Sequence, residues 1–268
     1  MTLETLIINA CSWLEYRDHS GYLPDAANSG TTLSANHFLL NINESAKWLK
    51  IIHKTNGAAV WYKHNADDVK IVTGKFSDDD LTANDPSTFD LTATVSDLNG
   101  HFLPRRVALT LADKSKHAIA LYRSAKGTII NQSGGLRGAV TTKSGDKYTP
   151  VPWALITAMV TPETGAALKF VAQADQHGEF LLPLNGPKLL TSNDVNKKYD
   201  ATFAIEAPAN DDADQAPNPD TFAARQVCNQ TLGNGTLQFA HQLDVKITAG
   251  GINKLTSPSQ PSLVLQAI

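Results

Sequence analysis

With 268 residues and 28.8 kDa, the chain is long enough to bury roughly 70–75% of its unfolded surface, in one large domain or two smaller ones. Its 42% hydrophobic and 18% charged residues exclude wholesale disorder, and a net charge of −3 with a pI near 6.2 argues against a nucleic-acid reader. No stretch reaches the ~18 consecutive apolar residues that a membrane helix requires.

Taken in chain order, the first eighteen residues lack the basic start, apolar core and small-residue cleavage site of a signal peptide, so cytoplasmic synthesis is expected. Leu3, Leu6, Ile7, Ala10, Cys11 and Leu14 fit one helical face, while Leu6-Ile7-Ile8 also fits a strand. Strands are then predicted over 37–43, 47–54, 58–64, 69–73, 89–96, 106–111, 117–123, 136–142, 153–160, 168–174, 179–184, 199–206, 236–241 and 244–248. These runs are rich in β-branched and aromatic residues, and 89–95 alternates with period two, placing Phe89, Leu91, Ala93 and Val95 on one face. A second short helix is predicted within 221–231.

Asn56-Gly57, Asn99-Gly100, Asn185-Gly186 and Asn234-Gly235 supply the positive φ that tight hairpins need. Short strands punctuated this way imply an all-β fold, an antiparallel β-sandwich with few short helices and two β modules. The Asp-Pro step at Asp85-Pro86 divides the chain into 1–86 and 87–268, and 210–220 is its most polar loop.

Charge is segregated. Residues 76–104 hold six aspartates and no Lys or Arg, whereas 105–147 hold nine basic side chains against Asp113 and Asp146. Arg105, Arg106, Lys114, Lys116, Arg123, Lys126 and Arg137 are therefore the candidate contact residues for an acidic partner, with the acidic stretch 78–97 as the alternative contact. The competing expectation is that the fold sets acidic and basic segments against each other and cancels the asymmetry.

One resemblance is carried by Leu136-Arg137-Gly138-Ala139-Val140, by 150–158 (PVPWALITA) and by 174–182 (ADQHGEFLL). Over 134–184 the chain resembles the carboxypeptidase regulatory-like domain. That resemblance implies an immunoglobulin-like or transthyretin-like sandwich acting as an accessory module that stiffens, presents or docks other domains. Domains of this kind also occur in phage tails and contractile injection particles. Within the matching residues, Asp175 is suited to accept turn amides and Gly178 to adopt positive φ, as structural turn residues.

Motifs for chemistry are missing. There is no C-x-x-C, H-E-x-x-H, G-x-S-x-G or phosphate-cradling glycine loop. His53 and His64 could meet across the Asn56-Gly57 turn with Asp67 or Asp68, but paired cross-strand histidines are more often surface residues. The acidic runs 78–80 and 210–214 offer oxygen ligands without the D-x-D-x-D-G calcium loop, and read as solvated turns. Trp13, Trp48, Trp61 and Trp153 would stack on sugar rings if exposed, although Trp48 and Trp61 fit core packing better. Cys11 and Cys228 are expected to be free thiols.

The expectation is thus a non-enzymatic structural or docking component of a multi-protein assembly, such as the spike, baseplate or fibre attachment of a phage-tail-like particle. No catalytic residue, metal or cofactor is expected. The partners would be other proteins, with homo-oligomers open, and neither nucleic acid nor a membrane span. The protein would be cytoplasmic when synthesised and released within a particle. A carbohydrate- or surface-binding sandwich and a hydrolase with a loop-assembled site are the alternatives.

Overall fold

The structure is a computed structural model and describes residues 11–24, 30–42, 49–55, 57–62, 88–112, 115–162, 165–185, 197–209, 212–248 and 250–267. Several expectations lie outside these residues: the helical face before Cys11, the strand 69–73, Lys114, Trp48, His64, Asp67, Asp68, and Asp78 to Asp85.

Among the described residues nine strands precede residue 122: β1 (Cys11–Asp18), β2 (Gly21–Tyr22), β3 (Thr31–Thr32), β4 (Phe38–Ile42), β5 (Leu49–Lys54), β6 (Gly57–Tyr62), β7 (Thr88–Asp97), β8 (Arg105–Ala112) and β9 (Lys116–Leu121). Twelve described strands follow: β10 (Gly135–Ser144), β11 (Lys147–Pro150), β12 (Leu155–Thr161), β13 (Leu168–Gln173), β14 (Glu179–Pro183), β15 (Lys198–Ala207), β16 (Ala223–Arg225), β17 (Val227–Thr231), β18 (Leu237–Ala240), β19 (Leu243–Thr248), β20 (Ile252–Lys254) and β21 (Leu263–Leu265). The protein is all-β. Its described helical content is two 3₁₀ turns, Ala35–His37 and Pro219–Thr221, and no described helix is long and apolar enough to cross a membrane.

Alternation builds both cores. In β7, Leu91, Ala93 and Val95 are buried while Asp90, Thr92 and Thr94 face outward, as period-two patterning dictates. In β15 the inward set is Tyr199, Ala201, Phe203, Ile205 and Ala207. The first sandwich packs β1, β6 and β9 against the antiparallel sheet β4-β7-β8, with Leu14, Tyr16, Val60, Ile119 and Leu121 facing Phe38, Leu91, Val107 and Leu111. The second packs sheet β11-β10-β21-β17-β18 against sheet β16-β15-β12-β13, around Phe170, Phe180, Leu182, Phe203 and Leu263. Neither sandwich closes into a barrel.

Strands on both sides of the 86/87 step share the first core, and the described strands part instead between β9 and β10. Three pairings are parallel, β1–β9, β10–β20 and β10–β21, within otherwise antiparallel sheets. The helix expected within 221–231 is a 3₁₀ turn followed by β16 and β17, whose ladders to β15 and β18 satisfy the backbone. Cys228 is a buried free thiol; the Cys11 side chain lies outside the description.

The two sandwiches are tied together. β2, from the first half of the chain, pairs antiparallel with the free edge of β13, with Tyr22 opposite Phe170. Beside it Leu23, Tyr122 and Val171 form a small buried cluster with Ala120 and Leu155 against it. The connecting segment is pinned at both ends. Arg123 Nε donates to Asp18 Oδ2 at 2.6 Å, and the Asn185 side chain accepts from the Asn131 amide and donates to the Ile129 carbonyl.

Candidate docking surface

The basic segment 105–147 folds onto several different elements, and most of its charges find partners at home. Arg105 opens β8 on the inward side, in phase with buried Val107 and Leu111, and is itself only 5% exposed. Its Nη1 donates to the Ala120 carbonyl at 2.5 Å and its Nη2 to Asp220 Oδ2 of the second sandwich; Nε has no hydrogen-bond partner. Arg106 is exposed, and its amide donates to the Pro217 carbonyl at 2.7 Å.

Lys116 pairs with Glu15 at 2.5 Å. Lys116, together with the Thr32 hydroxyl and Arg17, holds the Glu15 carboxyl at about 2, well below its usual range, against the opposing effect of burial. Arg123, besides its bond to Asp18, donates Nη1 to the Gly127 carbonyl and lies over the Phe102 ring at 5.2 Å. Lys126 donates to the Asn99 carbonyl at 2.8 Å, and Lys143 sits 5.2 Å over the Tyr148 ring.

Arg105, Lys116 and Arg123 are thus paired with Asp220, Glu15 and Asp18, and the preceding aspartates among the described residues, Asp90 and Asp97, pair with none of these three cations. Of those neighbours, Asp97 caps its own turn, accepting from the amides of Asn99, His101 and Phe102, and Asp90 accepts from Thr110 Oγ1.

Arg137 differs. It stands on the outer face of β10, between inward Leu136 and Gly138, exposed and with no ion-pair partner among the described residues. Its parallel neighbour in the sheet is Lys254 of β20, also exposed and also unpaired. On the other side Arg137 faces half-buried Leu181 of β14. One row along, Gly135 lies between Pro183 and Ile252, which is 52% exposed, and the Ile130 side chain covers Gly135. The acid on this face is exposed Glu179, opposite Ala139 and without an ion pair. Two like charges on adjacent strands repel, and Glu179, diagonal to Arg137 in the next row, makes an ion pair with neither. Sequence reasoning found Arg137 but missed Lys254 and Ile252, because no local signal announces a parallel pairing across the chain.

The turn residues sit as their spacing requires. Asp175 Oδ1 accepts from the His177 and Glu179 amides at 2.8 and 3.0 Å, and Gly178 has φ +77°. Trp153, placed in a strand by the sequence, lies just before β12 at φ +62°, buried, with Nε1 donating to the Asp212 carbonyl. No group of three or more His, Cys, Asp or Glu side chains placed to hold a metal occurs among the described residues, and His53 is exposed on β5. Asp212 Oδ1 is used by the Asp214 amide.

Two shallow depressions lie on the described surface. One, on β15 and β19, is crossed by the Lys246–Asp200 ion pair and by the Thr202–Asp244 hydrogen bond. The other gathers His37, Asp97, His101 and Phe102 around the turn that Asp97 caps. No family model, curated protein or solved structure matches the chain.

Proposed function

We propose that the protein is a non-enzymatic structural or docking component of a multi-protein assembly, of the kind that forms the spike, baseplate or fibre attachment of a phage tail or contractile injection particle. The observation that carries this reading is the tie between the sandwiches. A strand of one half completes a sheet of the other, a buried arginine spans the junction, and the connecting segment is held at both ends. Such a junction suits a part that transmits position between neighbours. The resemblance of 134–184 to accessory sandwich modules supports the same reading; its matching residues lie along β10, through the turn before β12, and in the turn leading into β14.

Isolation of the tagged protein from its own cells under native conditions tests the proposal. Recovery in a large particle at fixed stoichiometry is the expected result. A purified monomer that turns over a substrate with no partner present would overturn it.

A glycan- or surface-binding module is the second reading. It is favoured by Trp13, half-buried on the outer face of β1 in one row with Ala59 and exposed Ile52. Weak binding to an array of polysaccharides that is lost in Trp13→Ala would favour it.

A further inference from the structure

We infer that the outer face of β14-β10-β20 is where an acidic, partly apolar segment of a partner protein docks, an inference that rests on the docking reading above. The argument begins with elimination. Within the basic segment, Arg105, Lys116 and Arg123 are held by carboxylates, Lys126 by a carbonyl and Lys143 by an aromatic ring. These cations are occupied, and Arg105 is buried as well, which leaves Arg106, Arg137 and Lys147 among the described residues; of these, Arg137 is the one whose strand neighbour is a second exposed cation.

Arg137 is exposed and unpaired, and the fold places Lys254 directly beside it. Parallel neighbours lie about 4.8 Å apart, so the two cations repel unless an anion bridges them. The same face carries exposed Ile252, with Ile130 over Gly135, one row from the cations. An occupant with a carboxylate set beside an aliphatic side chain would satisfy both features at once. Such a mixture belongs to a protein segment more than to a polyanion, which would meet only the charges. Guanidinium and ammonium together also suit carboxylates, since Arg137 can bind bidentately while Lys254 adds a point charge. Glu179 lies in the row next to the cations on the side away from Ile252, and so fixes which way an acidic segment would lie, with its carboxylates over Arg137 and Lys254 and its aliphatic side chain toward Ile252.

The probe is a fluorescein-labelled peptide alternating glutamate and leucine, followed by anisotropy at low and physiological salt with the full chain. Wild type should bind, and added salt should weaken the binding. Arg137→Glu with Lys254→Glu should bind about tenfold more weakly or worse, with an unchanged melting temperature because both side chains are exposed. Arg106→Glu with Lys147→Glu, which changes net charge equally elsewhere, should bind like wild type.

Equal binding by the two double variants would overturn the inference. So would a face that binds heparin or anionic vesicles with the same charge dependence while ignoring the peptide. Isolation of the Arg137→Glu, Lys254→Glu variant from its own cells separates this idea from the broader reading. A variant still incorporated in the particle sinks the face alone, whereas a wild type found in no particle sinks the assembly.

Discussion

Arg105 and Asp220 meet across the junction of the two sandwiches, a 5%-exposed guanidinium on one side and a carboxylate whose side chain is 64% exposed on the other. The pair is lopsided, so its two halves should respond differently to mutation. Asp220→Asn keeps a side-chain oxygen to accept from Nη2 and leaves the bond to Ala120, and should cost about 1 kcal/mol. Arg105→Ala strips packing from the junction and orphans the Ala120 carbonyl, and should cost about 2–4 kcal/mol. Urea denaturation measures both; equal losses would mean that the arginine contributes only as a surface ion pair.

The same burial changes how docking should be tested. Arg105 looks from the sequence like the first of nine exposed cations, and reversing it would seem harmless. In the fold it would bury a carboxylate beside Asp220, so loss of assembly in such a variant would report misfolding. Lys116 and Arg123 carry the same hazard through Glu15 and Asp18.

Tyr16 provides a prediction of the opposite sign. Its ring packs against Phe38 at 5.0 Å, but its hydroxyl is buried without a hydrogen-bond partner. Burial also pushes its ionisation up to about 12. Tyr16→Phe removes an unsatisfied polar atom and keeps the ring, so stability at neutral pH should be unchanged or rise by up to about 1 kcal/mol. Because the folded hydroxyl ionises later than the unfolded one, the tyrosine's contribution is complete below pH 10 and lost as pH climbs toward about 12. The phenylalanine variant should therefore resist alkali better than wild type. A loss of more than about 1 kcal/mol at neutral pH would show that the hydroxyl has a partner after all.

Gly178 and Gly145 separate two ways in which a turn needs glycine. Both have positive φ, +77° and +59°. A Cβ on Gly178 would lie 2.6 Å from the Val140 carbonyl oxygen and 3.1 Å from that of Val151, whereas nothing lies within 4 Å of one on Gly145. Gly145→Ala should cost about 1 kcal/mol, the backbone strain alone. Gly178→Ala adds a clash with two backbone oxygens that cannot move without opening β10, and should cost at least twice as much. Thermal melting that ranks the two alike would contradict this geometry.

Legibility of the fold followed the range of the interaction. Strands such as β7 and β15 declare themselves by local alternation, and the turns at Asn99-Gly100, Asn234-Gly235 and Asp175-x-x-Gly178 by their glycines at positive φ, whereas Gly57 opens β6 without one. β1 did not. Trp13-Leu14-Glu15-Tyr16-Arg17 does alternate, with Leu14 and Tyr16 buried, but the leucines before it fit a helix equally well. What decides for strand is pairing with β6 and, in parallel, with β9, neither of which is local. β20 and β21 are three residues each and exist because β10 offers them a ladder. Ion pairs obey the same rule: Arg105 and Arg123 find carboxylates 115 and 105 positions away. Charge runs in a sequence therefore state how much charge must be placed, and only the strand order states where it goes.

Glu15 links that placement to acid stability. Its carboxyl ionises at about 2 in the folded protein against an ordinary 4.5, through Lys116 first, then Thr32 and Arg17. The folded value is depressed, so the stabilisation is complete above about pH 4.5 and disappears as pH falls toward about 2. Glu15→Gln should lower stability at neutral pH and flatten the wild-type decline across that window. Added salt should narrow the difference, because Lys116 is largely exposed. Parallel pH profiles for variant and wild type would remove Glu15 from the account of acid unfolding.

The last prediction concerns the tie itself. Leu23 is buried with Tyr122 and Val171 in a cluster far smaller than either core, and its amide donates to the Lys169 carbonyl at 2.9 Å, continuing the β2–β13 pairing. Leu23→Ser keeps that amide but gives up about 1.5–3 kcal/mol of apolar burial and sets a hydroxyl among apolar neighbours. Neither core contains Leu23, so each sandwich should keep its own stability while the coupling between them weakens. Wild type should then unfold in a single calorimetric transition, and Leu23→Ser in two. A core substitution such as Phe203→Leu should move only one of those two transitions when combined with Leu23→Ser, because Phe203 belongs to the second sandwich alone. If Leu23→Ser merely lowered one undivided transition, Leu23 would be part of a continuous core, and the small cluster would not be the seam. If wild type already showed two transitions, the sandwiches would unfold independently and the junction could not transmit position between partners. That outcome would withdraw the main support for an assembly role while leaving the acidic-peptide test of Arg137 and Lys254 intact.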